Sequence, residues 1–304
     1  MNIFTLKENV ILHKIKNFLS SLFNYEATIH HNLFYHIGEF PFKMRVAVKF
    51  AYDGRGFHGY ARQPQIETIE GRIVESLRKY GFIEDTDKSQ FRSASRTDKG
   101  VSALCNVIAF DTDSSKKNIL QMMSSEFATI VTYGIKNVPP DFNPRYAKLR
   151  CYRYHLNRNS IDFERAISVA DAFTGEHDFS NFARIELFKN PVRRIDNIVF
   201  TKNGNFLNID FYAQTFLWHQ IRRIISAIIK VEKGKIEKKD IIEALENPKK
   251  KVDFGLAPAE SLILKDIIYD FDFEYDEKLF GNLNKLKYSI IKSLDVSPIK
   301  SPKS

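Results

Sequence analysis

The sequence predicts an α+β protein, a sheet with helices packed on one side, repeated loosely in two halves. Three observations predict it. Strand-like segments are separated by helical ones, a hairpin signal at Asn203-Gly204 is mixed among them, and Pro139-Pro140 breaks the chain near its middle. No sequence repeat of fixed period accompanies the halves.

Residues 1–43 stand apart, with no arginine, one glycine and four of the eight histidines, His13, His30, His31 and His36. Ile11, Leu12, Ile15, Phe18, Leu19, Leu22 and Phe23 follow helical spacing, which predicts an amphipathic helix. The histidines have no other ligand types clustered with them, so chance composition is preferred over a metal site.

From Met44 the pattern sharpens. Val46, Val48, Phe50 and Tyr52 alternate with Ala47, Lys49 and Ala51, as in a strand, and Asp53-Gly54-Arg55-Gly56 signals a turn. Ile69, Ile73, Val74, Leu77 and Tyr80 form a helical stripe, with Thr68 as N-cap and Gly81 as stop. Val107 to Phe110 predict a strand and residues 117–133 a helix. Cys151 to Leu156 predict a strand with Tyr152, Tyr154 and Leu156 on one face and Arg153 and His155 on the other. Residues 161–173 look helical, and Ile195–Phe200 with Phe206–Tyr212 flank the hairpin turn. Trp218 to Val231 predict a long helix with Ile221, Ile224, Ile225 and Ile228 inward. Asp240–Glu246 predict another helix and Leu262–Tyr269 a closing strand. The Lys- and Ser-rich last thirty or so residues read as a tail with room for one helix.

The expected divisions are therefore an extension (1–43), an α/β subdomain (44–140), a second α/β subdomain (141–274) and a tail (275–304). A hydrophobic fraction of 43% with 27% charged residues fits a globular protein with a core. The net charge of +9 favours a polyanionic partner, nucleic acid being the commonest, although lysine-rich solubility explains it about as well. Cys105 and Cys151 lie in apolar runs and are expected as buried thiols of a cytoplasmic protein. No apolar stretch reaches the length of a membrane span, and the N-terminus lacks the order of a secretory signal.

Three features could carry chemistry. Asp98 lies in Ser95-Arg96-Thr97-Asp98-Lys99-Gly100-Val101, between a polar stretch and a strong strand. An Asp-Lys-Gly turn needs no function, because aspartate favours turns and glycine tolerates positive φ. Arg96, two residues earlier on the same face of an extended segment, could orient the carboxylate for nucleophilic work. Tyr152 and Tyr154 are either sheet core or rings that stack on an unstacked base, and the neighbouring Arg150 and Arg153 could meet phosphates. Arg222 lies about 100° around the helix from the buried Ile221. It is either solvated or the partner of a buried carboxylate. His177 and His219 are lone histidines, for which a structural role is preferred. No nucleotide-binding glycine loop and no zinc spacing is present.

Six segments, in order, resemble the TruA-type tRNA pseudouridine synthases. They are Val48–Gly54 with Phe57–Pro64, Arg96–Ala103, Asp141–Ala147 with Tyr152-Arg153-Tyr154, His177–Phe182, Trp218–Arg223, and Ala257–Leu262, spanning about residues 44–271. The resemblance implies that family's fold, two similar α/β subdomains with mixed, mostly antiparallel sheets flanked by helices and an active-site cleft between them. It implies isomerisation of uridine to pseudouridine in the anticodon stem-loop of tRNA (positions 38 to 40, or a subset), with no metal and no organic cofactor. Asp98 would be the nucleophile, Arg222 its partner, and Tyr152 the ring that stacks on the target uracil and manages its C5 proton. Arg96, Arg62 and Arg153 would bind the substrate. A homodimer whose joint surface holds the tRNA is also implied.

Ser102 stands where bacterial members usually have histidine, and Tyr60-Ala61 where they have Trp-Gln. Both look more like the archaeal and eukaryotic branch. The family pattern commonly begins near Met44-Arg45, so residues 1–43 are expected to be either a gene-model extension or an appendage that binds a partner or the tRNA. Two other readings stand beside the enzyme. A non-catalytic RNA-binding protein on the same fold would not need Asp98, and a phosphotransferase would need a metal-binding acidic cluster where Arg96 and Lys99 lie.

Overall fold

The computed structural model describes residues 43–157 and 162–296, and the chain divides into two units, 1–43 and 44–304. The predicted helix over residues 11–23 and the histidines of the leader lie outside the described residues.

In the second unit the strands are β1 (Met44–Tyr52), β2 (Arg92–Ser93), β3 (Ser102–Thr112), β4 (Ile130–Asn137), β5 (Leu149–Asn157), β6 (Gly175–Asp178), β7 (Val192–Ile195), β8 (Asn197–Asn203), β9 (Phe206–Ala213), β10 (Leu262–Ile268) and β11 (Glu274–Tyr275). The helices are α1 (Ile69–Lys79), α2 (Lys116–Glu126), α3 (Phe163–Ala170), α4 (Gln220–Glu232), α5 (Lys238–Glu246) and α6 (Glu277–Val296). One mixed sheet runs through both halves in the order β11-β4-β1-β3-β10-β5-β9-β8, with β2 beside β3. Every pairing is antiparallel except β3 with β10. β6 and β7 form a separate ribbon.

That parallel pairing joins the halves. Leu264 of β10 lies opposite Ala103 of β3 on one side and Tyr152 of β5 on the other. The start of β3, just after Asp98, therefore lies level with Tyr152, two strand spacings or roughly 10 Å away.

Most predicted elements form for the expected reasons. Thr68 caps α1, its hydroxyl accepting from the Gly71 N–H, and Gly81 follows the helix at φ 68°. Gly204 turns the β8–β9 hairpin at φ 56°. Cys105 and Cys151 are buried free thiols.

One expectation fails, and the C-terminal stretch packs more firmly than expected. Residues 117–133 do not form one helix: α2 ends at Glu126, and Ile130 starts β4. The apolar run Ile130-Val131 pairs with β1, where backbone hydrogen bonds to a strand replace those of a helix. The stretch read as a tail contains the twenty-residue α6, whose Leu279, Leu286 and Ile290 are buried. Helices thus cover both sides of the β4 end of the sheet. Thr132 donates to the Leu120 carbonyl of α2 at 3.2 Å, while its neighbour Tyr133, on the opposite face, packs edge-on to Phe280 of α6. The lysines of α6 hid the stripe, because their spacing leaves one apolar face intact. No described helix is long and apolar enough to cross a membrane.

Candidate active site

Asp98 is the first residue of a tight turn. The Val101 N–H donates to the Asp98 carbonyl at 3.1 Å, and Gly100, at the third position, has φ 84°, a conformation that favours glycine. The loop after β1 braces this turn. A Cβ on Gly54 would lie 2.0 Å from the Val101 carbonyl oxygen, so only glycine fits there. The Gly54 N–H donates to the Ser102 hydroxyl at 3.1 Å, the Tyr60 N–H donates to the Thr97 carbonyl at 3.1 Å, and the buried Tyr52 hydroxyl bonds Thr97 Oγ1 at 2.8 Å. The turn is thereby tied to the aromatic core of Phe50, Tyr52 and Tyr60.

The Asp98 carboxylate meets three side chains from the start of α4 and the residues just before it. Arg222 Nη1 lies 2.7 Å from Oδ2, Trp218 Nε1 lies 3.0 Å from Oδ1, and His219 Nε2 lies 3.4 Å from Oδ2. Arg222 is held in turn by its Nε, which donates to the Ala257 carbonyl at 2.8 Å. Burial lowers the pKa of His219, and Arg222, Arg223 and Arg184 add to that, while Asp98 opposes it. The ring near Asp98 is therefore neutral at neutral pH, and Arg222 supplies the ionic partner. The side chain of Asp98 is 19% exposed, so the carboxylate stays open to the cleft.

Tyr152 shares this cleft. It is buried, its ring packs edge-on to Phe216 at 5.3 Å, and its hydroxyl interacts with Ser95. Burial pushes its pKa up to about 12, so the hydroxyl is protonated at neutral pH. The cleft encloses about 1820 Å³ and is lined by nine arginines and lysines against three carboxylates, a balance suited to a polyanion.

The structure brings Asp98, Arg222, Tyr152 and Arg96 into this one cleft. Arg96 is exposed there, and the cation on Asp98 is Arg222, not the neighbouring Arg96. Arg62 is exposed and lies 3.6 Å from Glu70, and its chain neighbours Ala61 and Gln63 line the cleft. Arg153 points to the other face of β5, where Nε and Nη2 hold Asp210 at 2.6 and 2.7 Å. Alternation along the strand separates it from Tyr152. Arg150, read as a phosphate contact, is buried instead. It donates to Ser95 Oγ, to the Ala94 and Arg145 carbonyls and to Gln214, fastening the segment before Asp98 to β5 and β9.

A family model described as tRNA pseudouridine synthase matches residues 169–270. The tRNA pseudouridine synthase A of Thermococcus sibiricus is 42% identical, the match covering 77% of this chain and 88% of that protein. This chain belongs to the tRNA pseudouridine synthase family. The corresponding proteins of Thermococcus kodakarensis and Pyrococcus furiosus are each 36% identical, with 89% and 91% of their lengths covered. These relatives are archaeal, in keeping with the archaeal and eukaryotic branch that Ser102 and Tyr60-Ala61 resemble. A crystal structure of the archaeal box H/ACA sRNP Nop10–Cbf5 complex aligns with 67% of this chain and 55% of its own, at 11% identity and a TM-score of 0.31, too slight a likeness to add to the assignment.

Sequence reasoning in this family member missed Trp218 and His219 by placing both inside the helix. The helix begins at Gln220, and His219 is left-handed at φ 65°, a conformation that costs a non-glycine residue about 1 kcal/mol. Gln220 pins the bend, its Oε1 accepting from the Leu217 N–H at 2.8 Å. No local signal marked the bend. Arg184, whose guanidinium lies 4.2 Å from the centre of the Trp218 ring, was likewise invisible, since thirty-four positions separate the two in sequence.

Proposed function

We propose that this chain converts uridine to pseudouridine in tRNA with Asp98 as the nucleophile. The observation that carries the reading is the Asp98 carboxylate held by Arg222 at 2.7 Å in the cleft that also contains Tyr152. In this reaction the bond from C1′ to N1 breaks, the uracil turns, C1′ bonds to C5, C5 loses its proton and N1 takes one up. One proton is exchanged for another and every other atom stays on the substrate, so the isomerisation needs no oxidant, reductant or group donor.

Asp98 attacks the target nucleotide and is released once C1′ has bonded to C5, and Arg222 aims the carboxylate. Tyr152 stacks on the uracil, and as a protonated phenol it relays the C5 proton rather than taking it as a phenolate. Arg96, exposed at the cleft, contacts the extruded nucleotide or its backbone. Arg62, next to cleft-lining residues, grips the substrate further out. Arg153 drops out as a substrate contact, because Asp210 occupies it on the opposite face. Extrusion of the base costs a few kcal/mol, which phosphate contacts along the basic cleft offset. The family resemblance extends the reading to the anticodon stem-loop, positions 38 to 40 or a subset, and to a cytoplasmic homodimer.

Tritium release from tRNA labelled at uracil C5 tests the assignment. The wild type is expected to release tritium and Asp98→Ala to release none. Release by the variant at the wild-type rate would remove Asp98 from the mechanism, and no release by the wild type would leave an RNA-binding protein. Mapping pseudouridine in the product tRNA then reads the position.

A further inference from the structure

We propose that Trp218 is a positioning residue that fixes Asp98 Oδ1 for attack, an inference that rests on Asp98 being the nucleophile. A carboxylate held at one oxygen can still swing about its Cβ–Cγ bond, and Arg222 holds only Oδ2 directly. The indole N–H of Trp218 donates to Oδ1 at 3.0 Å. With both oxygens engaged, the plane of the carboxylate is set, and Oδ1 keeps a lone pair free of the indole for the substrate.

The donor itself suits this task. An indole N–H is neutral and does not release its proton, so it aims the oxygen without adding a second full positive charge that would make it a weaker nucleophile. A second cation at Oδ1 would close the carboxylate into a complete ion pair, as Arg153 and Lys265 do to Asp210.

Trp218 is also fixed from behind, as a positioning residue must be. The Arg184 N–H donates to the Trp218 carbonyl at 2.8 Å, and the Arg184 guanidinium covers the indole at 4.2 Å. The left-handed His219 turns the chain between Trp218 and α4, and that bend lets Trp218 and Arg222 converge on one carboxylate from outside and inside the helix. Trp218 remains 40% exposed, so its apolar packing is slight. A large, half-exposed aromatic ring with its one polar atom on the reactive carboxylate is placed for that bond.

The test is Trp218→Phe, which keeps a ring and removes the donor. The kcat for tRNA is expected to fall about tenfold, the lower end for a hydrogen bond to a charged group, with KM and Tm little changed. A packing role alone would leave kcat at the wild-type value, and that result overturns the proposal. Because Trp218 is the sole tryptophan, fluorescence offers a second test that needs no turnover. Asp98→Ala, which removes the acceptor, should shift the emission of the folded protein, and an unchanged spectrum overturns the contact. The two readings fail differently. An inactive Asp98→Asn with a fully active Trp218→Phe defeats the positioning role alone, whereas a fully active Asp98→Asn defeats the nucleophile and this inference with it.

Discussion

Each face of β5 looks onto a carboxylate held by an arginine, and the two differ in how much of the carboxylate is left open. On the far face Asp210 is gripped by both arms of Arg153 and by Lys265 at 2.8 Å, and its side chain is 5% exposed. These partners hold its pKa below the ordinary value although burial pulls the other way. On the cleft face Asp98 has one ionic partner, one neutral donor and 19% exposure. An ion pair by itself is therefore a poor marker of a reactive group. What separates the two is a free lone pair with access to a large basic cleft.

The largest expected effect separates the carboxylates directly. Asp98→Asn should lower the rate of pseudouridine formation at least about a thousandfold, a barrier increase of about 4 kcal/mol, with little change in Tm. Asp210→Asn should do the reverse, keeping the rate within about twofold and lowering stability by about 3–5 kcal/mol, measured by urea unfolding. Equal losses of rate in both would erase the distinction.

The next effect concerns pH on the far face. His155 is buried there with Nδ1 lacking a hydrogen-bond partner, and burial lowers its pKa to about 4. Between that value and the unfolded value of about 6.5, the unfolded chain binds more protons than the folded one. Stability from the neutral ring is thus present above about pH 6.5 and is lost as pH falls toward 4, on the order of 3 kcal/mol in all. His155→Phe should flatten the dependence of the urea midpoint over that range. A slope equal to that of the wild type would show that another group titrates.

A smaller contrast sets Arg222 against Arg153. Arg222→Ala should reduce kcat by about a hundredfold, the loss of a charged hydrogen bond. Arg153→Ala should leave kcat within about twofold while lowering Tm. Matching kcat values for the two variants would mean that Arg222 is structural. The smallest effect on KM is expected at Tyr152. Tyr152→Phe keeps the stacking ring and should leave KM within about threefold while lowering kcat, because the relaying hydroxyl is gone, whereas Tyr152→Ala should also raise KM by about tenfold, the range of one lost base stack. A Tyr152→Phe variant with wild-type kcat would remove the hydroxyl from the proton relay.

Much of this was legible in local pattern. Thr68 and Gly81 bounded a helix, Asn203-Gly204 a hairpin, and strand alternation put Tyr152 and Arg153 on opposite faces, because each depends only on near neighbours. The alternation already implied that Arg153 could not share a cleft with Tyr152, although the resemblance suggested both as substrate contacts. The second half of residues 117–133 was illegible because Ile130-Val131 suits a helix or a strand equally, and only the β1 edge decided between them.

The sequence alone therefore determined the local elements, the ordered segments that mark the family and the identity of Asp98 as the residue to test. Only the tertiary structure decided which cation serves Asp98, that Arg150 is a buried clamp, that α6 covers a sheet face, and that Trp218 reaches Oδ1. The physical reason is range. Caps, turns and alternation act over a few residues, whereas Asp98 and Arg222 lie 124 positions apart and meet only through the parallel pairing of β3 with β10 and the bend at His219.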